Sequence, residues 1–167
     1  MKTHKIVCIF FYLTIISCNI YSFSGASISE EIKSFSLNNI DSQISNSPSS
    51  LSQITKDNLQ DLILNQTNLT LLEESLADLN FSASITKYEI KPIAINSNET
   101  AAKNRLTINL KVDFTNTKDE NLNYKTTFSR YRDFESATNF AEIELDLINE
   151  ITKELAEDTF NKAFVNW

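Results

Sequence analysis

Glycine, histidine and cysteine are almost missing from this chain of 167 residues. Its one glycine is Gly25, so beyond that point there is no glycine-rich loop to cradle a phosphate and no sharp strand-to-helix elbow to expose a nucleophile. Its one histidine is His4, which leaves the rest of the chain without the commonest general base. Cys8 and Cys18 are the only cysteines, too few for a thiolate metal site. Positive charge is also short. Against 22 Asp and Glu stand 15 Lys and Arg, a formal net charge of -7. Nucleic acids are held by clustered cations, so DNA and RNA are poor partners. These absences point away from catalysis, metals and cofactors, and towards work done by shape and surface.

The N-terminus has its own character. Lys2, His4 and Lys5 form a positive start, and Ile6 to Ile16 is an apolar run broken by Thr14. That run is shorter than the roughly 20 residues of a membrane span and suits a secretory signal. It ends Ile15-Ile16-Ser17-Cys18, which resembles the lipobox of bacterial lipoproteins. The resemblance implies cleavage before Cys18 and lipidation of its thiol and amino group, an anchor on a membrane surface without a span. The competing reading is an ordinary secretory signal with an incidental cysteine. Residues 1–17 are thus expected to be a lipoprotein signal, 18–29 a lipid-anchored tether and 30–167 a single α+β domain. Loss of Lys2 and Lys5 would take the charge from -7 to -9; so acidic a domain has no polybasic membrane-binding surface.

The domain is organised around Arg105 to Asn116. There Leu106, Ile108, Leu110, Val112 and Phe114 alternate with Thr107, Asn109, Lys111, Asp113 and Thr115, the period of a strand with one buried face. Ahead of it, Ile32 to Leu37 is a short candidate strand with Phe35 and Leu37 on one face. Ser47-Pro48 reads as an N-cap followed by the first helical residue, and Leu51, Ile54, Leu59 and Leu62 make a helical stripe up to about Gln66, with Ile63 at its edge. Leu69 to Glu73 is extended. Leu79, Phe81, Ala83 and Ile85 alternate, then the apolar positions move to Tyr88 and Ile90, which predicts a bulge near Thr86-Lys87. Pro92 ends or edges that strand, and Asn96 to Asn104 is a polar loop. Leu122, Tyr124, Thr126 and Phe128 follow a polar turn as the partner of the central strand, with Arg130, Tyr131 and Arg132 at its far end. With glycine absent, asparagine is expected at turn positions of positive φ. Phe140 to Trp167 is a long helix with a core stripe of Ile143, Leu147, Ile148, Ile151 and Leu155. Glu142, Asp146, Glu150, Glu154 and Glu157 form a solvated acidic face. The order β-α-β-β-β-α predicts a two-layer α+β sandwich, a mostly antiparallel sheet with two helices on one face.

Several stretches together resemble the LptE-type lipopolysaccharide-assembly lipoprotein family. They are Tyr21 to Ile28, Asn104-Arg105-Leu106-Thr107-Ile108 with the strand after it, Phe128-Ser129-Arg130-Tyr131, Phe160-Asn161-Lys162-Ala163 and Asn166-Trp167. The resemblance covers essentially all of the chain after Cys18. It implies an outer-membrane lipoprotein facing the periplasm, which plugs and helps assemble an LptD-type β-barrel and contacts lipopolysaccharide. It implies no catalysis and no cofactor, and supplies no residue-by-residue ligand site.

Three groups of residues invite a functional reading. Arg130 and Arg132 can fork onto a lipopolysaccharide phosphate, or pair with the acidic second helix, the preferred reading. Arg105, near Lys103, meets phosphate or barrel carboxylates, or is a solvated strand end. Ala156, Phe160, Ala163, Phe164 and Trp167 form a second apolar stripe roughly opposite the first. It faces a partner, for which Phe and Trp are good anchors, or turns back into the core. An alternative function is a free-standing periplasm-facing lipoprotein that binds an amphiphile between helices and sheet, which requires a sizeable apolar cavity there.

Overall fold

The structure is a computed structural model, and it describes residues 28–93 and 103–165. Cys18, the tether up to residue 27, most of the polar loop and Asn166-Trp167 lie outside the described residues. Four short elements come first: β1 (Ser34–Leu37), β2 (Asp41–Ser42), helix α1 (Ser50–Gln66) and β3 (Thr70–Leu71). Three long strands follow, β4 (Leu79–Ile93), β5 (Lys103–Asn116) and β6 (Tyr124–Glu135), and the described chain closes with α2 (Phe140–Phe164). The sheet order is β3-β1-β4-β5-β6, with β2 beside β4. The three long strands form an antiparallel meander. The short strands pair parallel: β1 with β3 and β4, and β2 with β4. This is the α+β architecture predicted, with two helices over a mostly antiparallel sheet.

The alternation of β5 sets the two faces. Leu106, Ile108, Leu110, Val112 and Phe114 are buried beneath the helices, and register places Phe81, Ala83 and Ile85 of β4 and Tyr124 and Phe128 of β6 on that same face. Phe81 and Phe114 meet with ring centroids 4.8 Å apart, and Phe114 stacks on Tyr124 at 5.1 Å. The predicted bulge is present. Register shifts between Ile85 and Lys87, so Tyr88 and Ile90 return to the helix side. Beyond β2 the outer margin of β4 has no partner among the described residues, which is why Pro92 is accommodated inside the strand.

Some local expectations differ from the structure. The first helix starts at Ser50 rather than Pro48: Leu51 N–H donates to the Pro48 carbonyl in a preliminary turn, and the Ser47 hydroxyl donates to Ile44 O instead of capping. Its buried line is Leu51, Thr55, Leu59 and Ile63. The step of four runs straight down one side, so Ile63 lies in the core and Leu62 at its rim. β1 is buried at all four positions, because it lies between β3 and β4 and not at a margin. Lys103 and Asn104, expected in the loop, already pair with Ile93 and Pro92.

Leu122 is 44% exposed, in a short 3-10 turn, Glu120–Leu122, that precedes β6. Asparagine and aspartate close that hairpin without positive φ, which no described residue adopts. Asn116 Oδ1 accepts from Lys118 and Asp119 N–H, Asn123 Oδ1 from Asn116 N–H, and Asp119 from Asn121 N–H. Their short side chains stand in for backbone acceptors, so no left-handed residue is needed.

Candidate functional site

The inner side of the sheet is tied to α2 by charge. On β6, Arg130 and Arg132 lie on the helix-facing side, opposite Ile108 and Leu106 of β5. On α2, Glu150, Glu154 and Asp158 follow at steps of four and share one face. Arg132 Nε donates to Glu150 at 2.7 Å and Nη2 to Glu154 at 2.6 Å, while Nη1 donates to the Tyr131 carbonyl at 3.0 Å. Arg130 forks onto Asp158, with Nε 2.6 Å from Oδ2. The bond to Arg132 holds the Glu154 carboxyl below its usual range. Part of the acidic helix face is therefore an ion-pair seam, and both arginines are used between the layers. Further along, the Tyr88 hydroxyl donates to Glu144. Burial first, then that carboxylate, raises the phenol's pKa. All these groups keep some exposure, so solvent screens them. Arg130→Ala combined with Arg132→Ala should cost about 1 kcal/mol, read as a small fall in denaturant midpoint; a folded domain of unchanged stability would count against the seam.

The other side of the sheet carries no helix among the described residues. Register puts Lys87, Lys91, Lys103, Arg105, Lys111 and Lys125 there, with Asp41, Glu89, Asp113, Asp133 and Glu135. That is six cations to five anions on a chain of net charge -7, so the cations are over-represented on the open face. Most of them are paired, Lys103, Arg105 and Lys125 across strands and Lys87 and Lys91 within β4. Arg105 forks onto Asp133 at 2.6 and 2.9 Å, and its guanidinium lies 3.7 Å over the Tyr131 ring. The bond to Arg105 lowers the pKa of Asp133. Lys103 meets Glu135 at 3.5 Å, and Glu89 takes both Lys87 and Lys91 at 2.9 Å. Lys111 has no ion-pair partner among the described residues. The polar half of the β5 alternation already spelled out much of this face; β4 and β6 residues joined it only through register.

Of the other residues singled out in the sequence, Phe160 and Phe164 do not form an outer stripe. They are 8% and 4% exposed and belong to the core. The buried arc of α2 turns along its length, from Ile148 and Ile151 to Ala156, Phe160 and Phe164, because the helix end crosses the start of β4. Phe164 lies 4.8 Å from Phe160 and 6.1 Å from Phe81, centroid to centroid. Where helices and sheet meet, Leu51, Leu59, Ile148, Ile151 and Leu155 of the helices and Phe81, Ile108 and Leu110 of the sheet are buried in one core. An open groove of about 360 Å³ lies at one end of that seam, lined by Ile28, Ile32, Leu79, Phe114, Leu122 and Phe164 among others. No helix among the described residues is long and apolar enough to cross a membrane.

The model of the LptE family, described as lipopolysaccharide-assembly, matches residues 32–163. The chain belongs to this family. The match spans every strand and helix described above, α2 to within a residue of its end. The LptE family is a non-enzymatic family of outer-membrane assembly lipoproteins. Comparison with curated protein sequences gave no match. Among solved structures, a minor lipoprotein from Acinetobacter baumannii is 12% identical at a TM-score of 0.52, over 79% of this chain and 92% of that one. A hypothetical protein from Chlamydia trachomatis is 8% identical at a TM-score of 0.55, over 80% of this chain and 98% of that one. At such identities the likeness is one of fold, and the fold is shared by nearly the full length of both.

Proposed function

We propose that this LptE-family chain is the lipid-anchored accessory subunit of a lipopolysaccharide translocon. It plugs and helps assemble an LptD-type β-barrel and assists lipopolysaccharide on its way to the outer leaflet. Cys18 carries the lipid, and the domain faces the periplasm. The observation that carries the reading is the family match over residues 32–163. The shape agrees with it. A plug needs a packed core and a polar wall, and the sheet face away from the helices is mostly polar, from Ser82 and Ser84 to Asp133 and Glu135, with Ile93 at its end. Arg105 is the one of the three candidate arginines on that face. A lipopolysaccharide phosphate or a barrel carboxylate approaches there and exchanges with Asp133; Arg130 and Arg132 act behind it, holding α2 on the sheet. The continuous buried core that joins helices and sheet supports this scaffold over a carrier of amphiphiles.

The test is a gentle detergent pull-down of the lipidated protein from native outer membranes. One large, heat-modifiable β-barrel at equal stoichiometry is the expected result. Recovery of the protein alone, folded and membrane-bound, would overturn the translocon reading in favour of a free-standing lipoprotein.

A further inference from the structure

Four parts of the chain that are distant in sequence meet at one end of the domain. They are the segment that leads into β1, the start of β4, the turn between β5 and β6, and the end of α2. The groove of about 360 Å³ lies among them, lined by Ile28, Ile32, Leu79, Leu122, Ala163 and Phe164, with Glu31 and Asp119 as its charged acceptors. Leu122, on the 3-10 turn, is left 44% exposed beside it. The volume is at the low end of the roughly 300–1,000 Å³ of ligand pockets, so it suits one aromatic side chain better than an amphiphile with several tails. We propose that the groove seats the indole of Trp167, and that residues 165–167 thereby latch together the segment before β1, the β5–β6 turn and α2.

The exit of α2 selects this occupant. The helix closes with Val165 N–H donating to the Asn161 carbonyl at 2.9 Å, and Val165 itself is extended, with φ -107° and ψ 107°. Val165 packs against the core, next to Ala163 and Phe164 of the groove. In extended backbone, residues two apart project to the same side. Carried on through Asn166, the conformation of Val165 turns Trp167 inward and Asn166 outward. Two residues reach about 7 Å, which ties the ring to the end of α2 where the groove lies. The chemistry matches as well. An indole has a broad apolar body and one N–H that needs an acceptor when buried. The groove offers apolar walls and two carboxylates; one oxygen of Asp119 accepts from Asn121, and the other has no partner among the described residues. Tyr21 and Phe23 compete from the opposite end of the chain. They stand seven and five residues before Ile28, so seating either closes a longer loop at a larger entropic cost. The latch lies within one chain and leaves both the open face and the sheet margins to a barrel. It therefore stands or falls independently of the translocon reading.

Trp167 is the only tryptophan, so its fluorescence reads the groove without a label. The purified full chain in detergent is excited where tyrosine does not absorb. Blue-shifted emission is expected, with an acrylamide quenching constant several-fold lower than in urea. Leu122→Asp places a charge in the groove at a position that is already part-exposed. It should move the emission most of the way to that of the unfolded chain while the far-UV dichroism stays that of the fold. Leu122→Ala, the milder variant, should give a smaller shift in the same direction. An indole that emits as a solvent-exposed one in the folded chain overturns the proposal. So does a blue emission that both variants leave in place, which puts the ring in the micelle or elsewhere on the domain. So does an exposed indole that turns blue only when a barrel is added, which makes Trp167 a partner anchor.

Discussion

Phe164→Ala should remove about 3–5 kcal/mol of stability and lower the melting temperature by roughly 10 °C or more. The ring is 4% exposed, sits against Phe160 and within 6.1 Å of Phe81, and caps the core where α2 crosses the start of β4. The neighbouring Phe81 and Phe114 are held in the sheet at 4.8 Å from each other and do not move into the space. Thermal denaturation of the variant checks the expectation. The same experiment decides what the C-terminal apolar residues are for. Lost barrel association with an unchanged melting temperature would make Phe164 a partner anchor, against its placement here.

Asp78 should have the second largest effect, and it adds a dependence on acid. Its carboxylate accepts from Lys33 N–H at 2.9 Å, Ser34 N–H at 3.2 Å and the Ser34 hydroxyl at 2.9 Å, and Lys118 Nζ lies 3.1 Å away. The Lys33 bond is the main cause of a pKa lowered from 3.8 to about 2, with Ser34 and Lys118 adding to it and burial opposing. A depressed carboxyl stabilises the fold while it is ionised. Its contribution is complete above the unfolded value near 3.8 and is lost as pH falls through about 2. Asp78→Ala should cost about 2 kcal/mol at neutral pH, since it leaves two backbone donors and a hydroxyl without their acceptor. Asp78→Asn should flatten, though not abolish, the fall in stability between pH 4 and pH 2, because Asp133, Glu154 and Glu89 are shifted in the same direction. Urea midpoints across that range give the answer; an unaltered slope in Asp78→Asn would remove Asp78 as its source.

Much of the fold was legible because it is written in alternation. β5 announces both of its faces, and the slip from Ile85 to Tyr88 announces the bulge. What alternation does not carry is which strand lies beside which. β1 is four residues long, and nothing local says that it enters between β3 and β4 and buries Ser34 and Ser36 along with Phe35 and Leu37. β2 and β3 exist only as parallel additions to strands distant in sequence. The ion-pair seam was half legible. Arg130 and Arg132 at a spacing of two share a face, and the acidic helix was their preferred partner. The particular partners, Glu150, Glu154 and Asp158, depend on how α2 crosses the sheet. The open face was written in Thr107, Asn109, Lys111, Asp113 and Thr115, but its surplus of cations appears only once register sets Lys87, Lys91 and Lys125 beside them. Asp78 gave no signal at all, since its partners Lys33, Ser34 and Lys118 are all distant in sequence.

The place of β1 has a mechanical meaning. A domain held to a membrane by its N-terminus feels every tug through the residues that enter the sheet first. Had β1 been a margin strand in a hairpin, tension would open its hydrogen bonds one at a time, like a zip. It lies instead between two parallel neighbours, β3 and β4, so a pull along its axis loads bonds on both sides together, in shear. At the point where that load arrives, Asp78 grips the N–H groups of Lys33 and Ser34. With the proposed anchor at Cys18, this arrangement would resist the drawing out of the fold by its N-terminus.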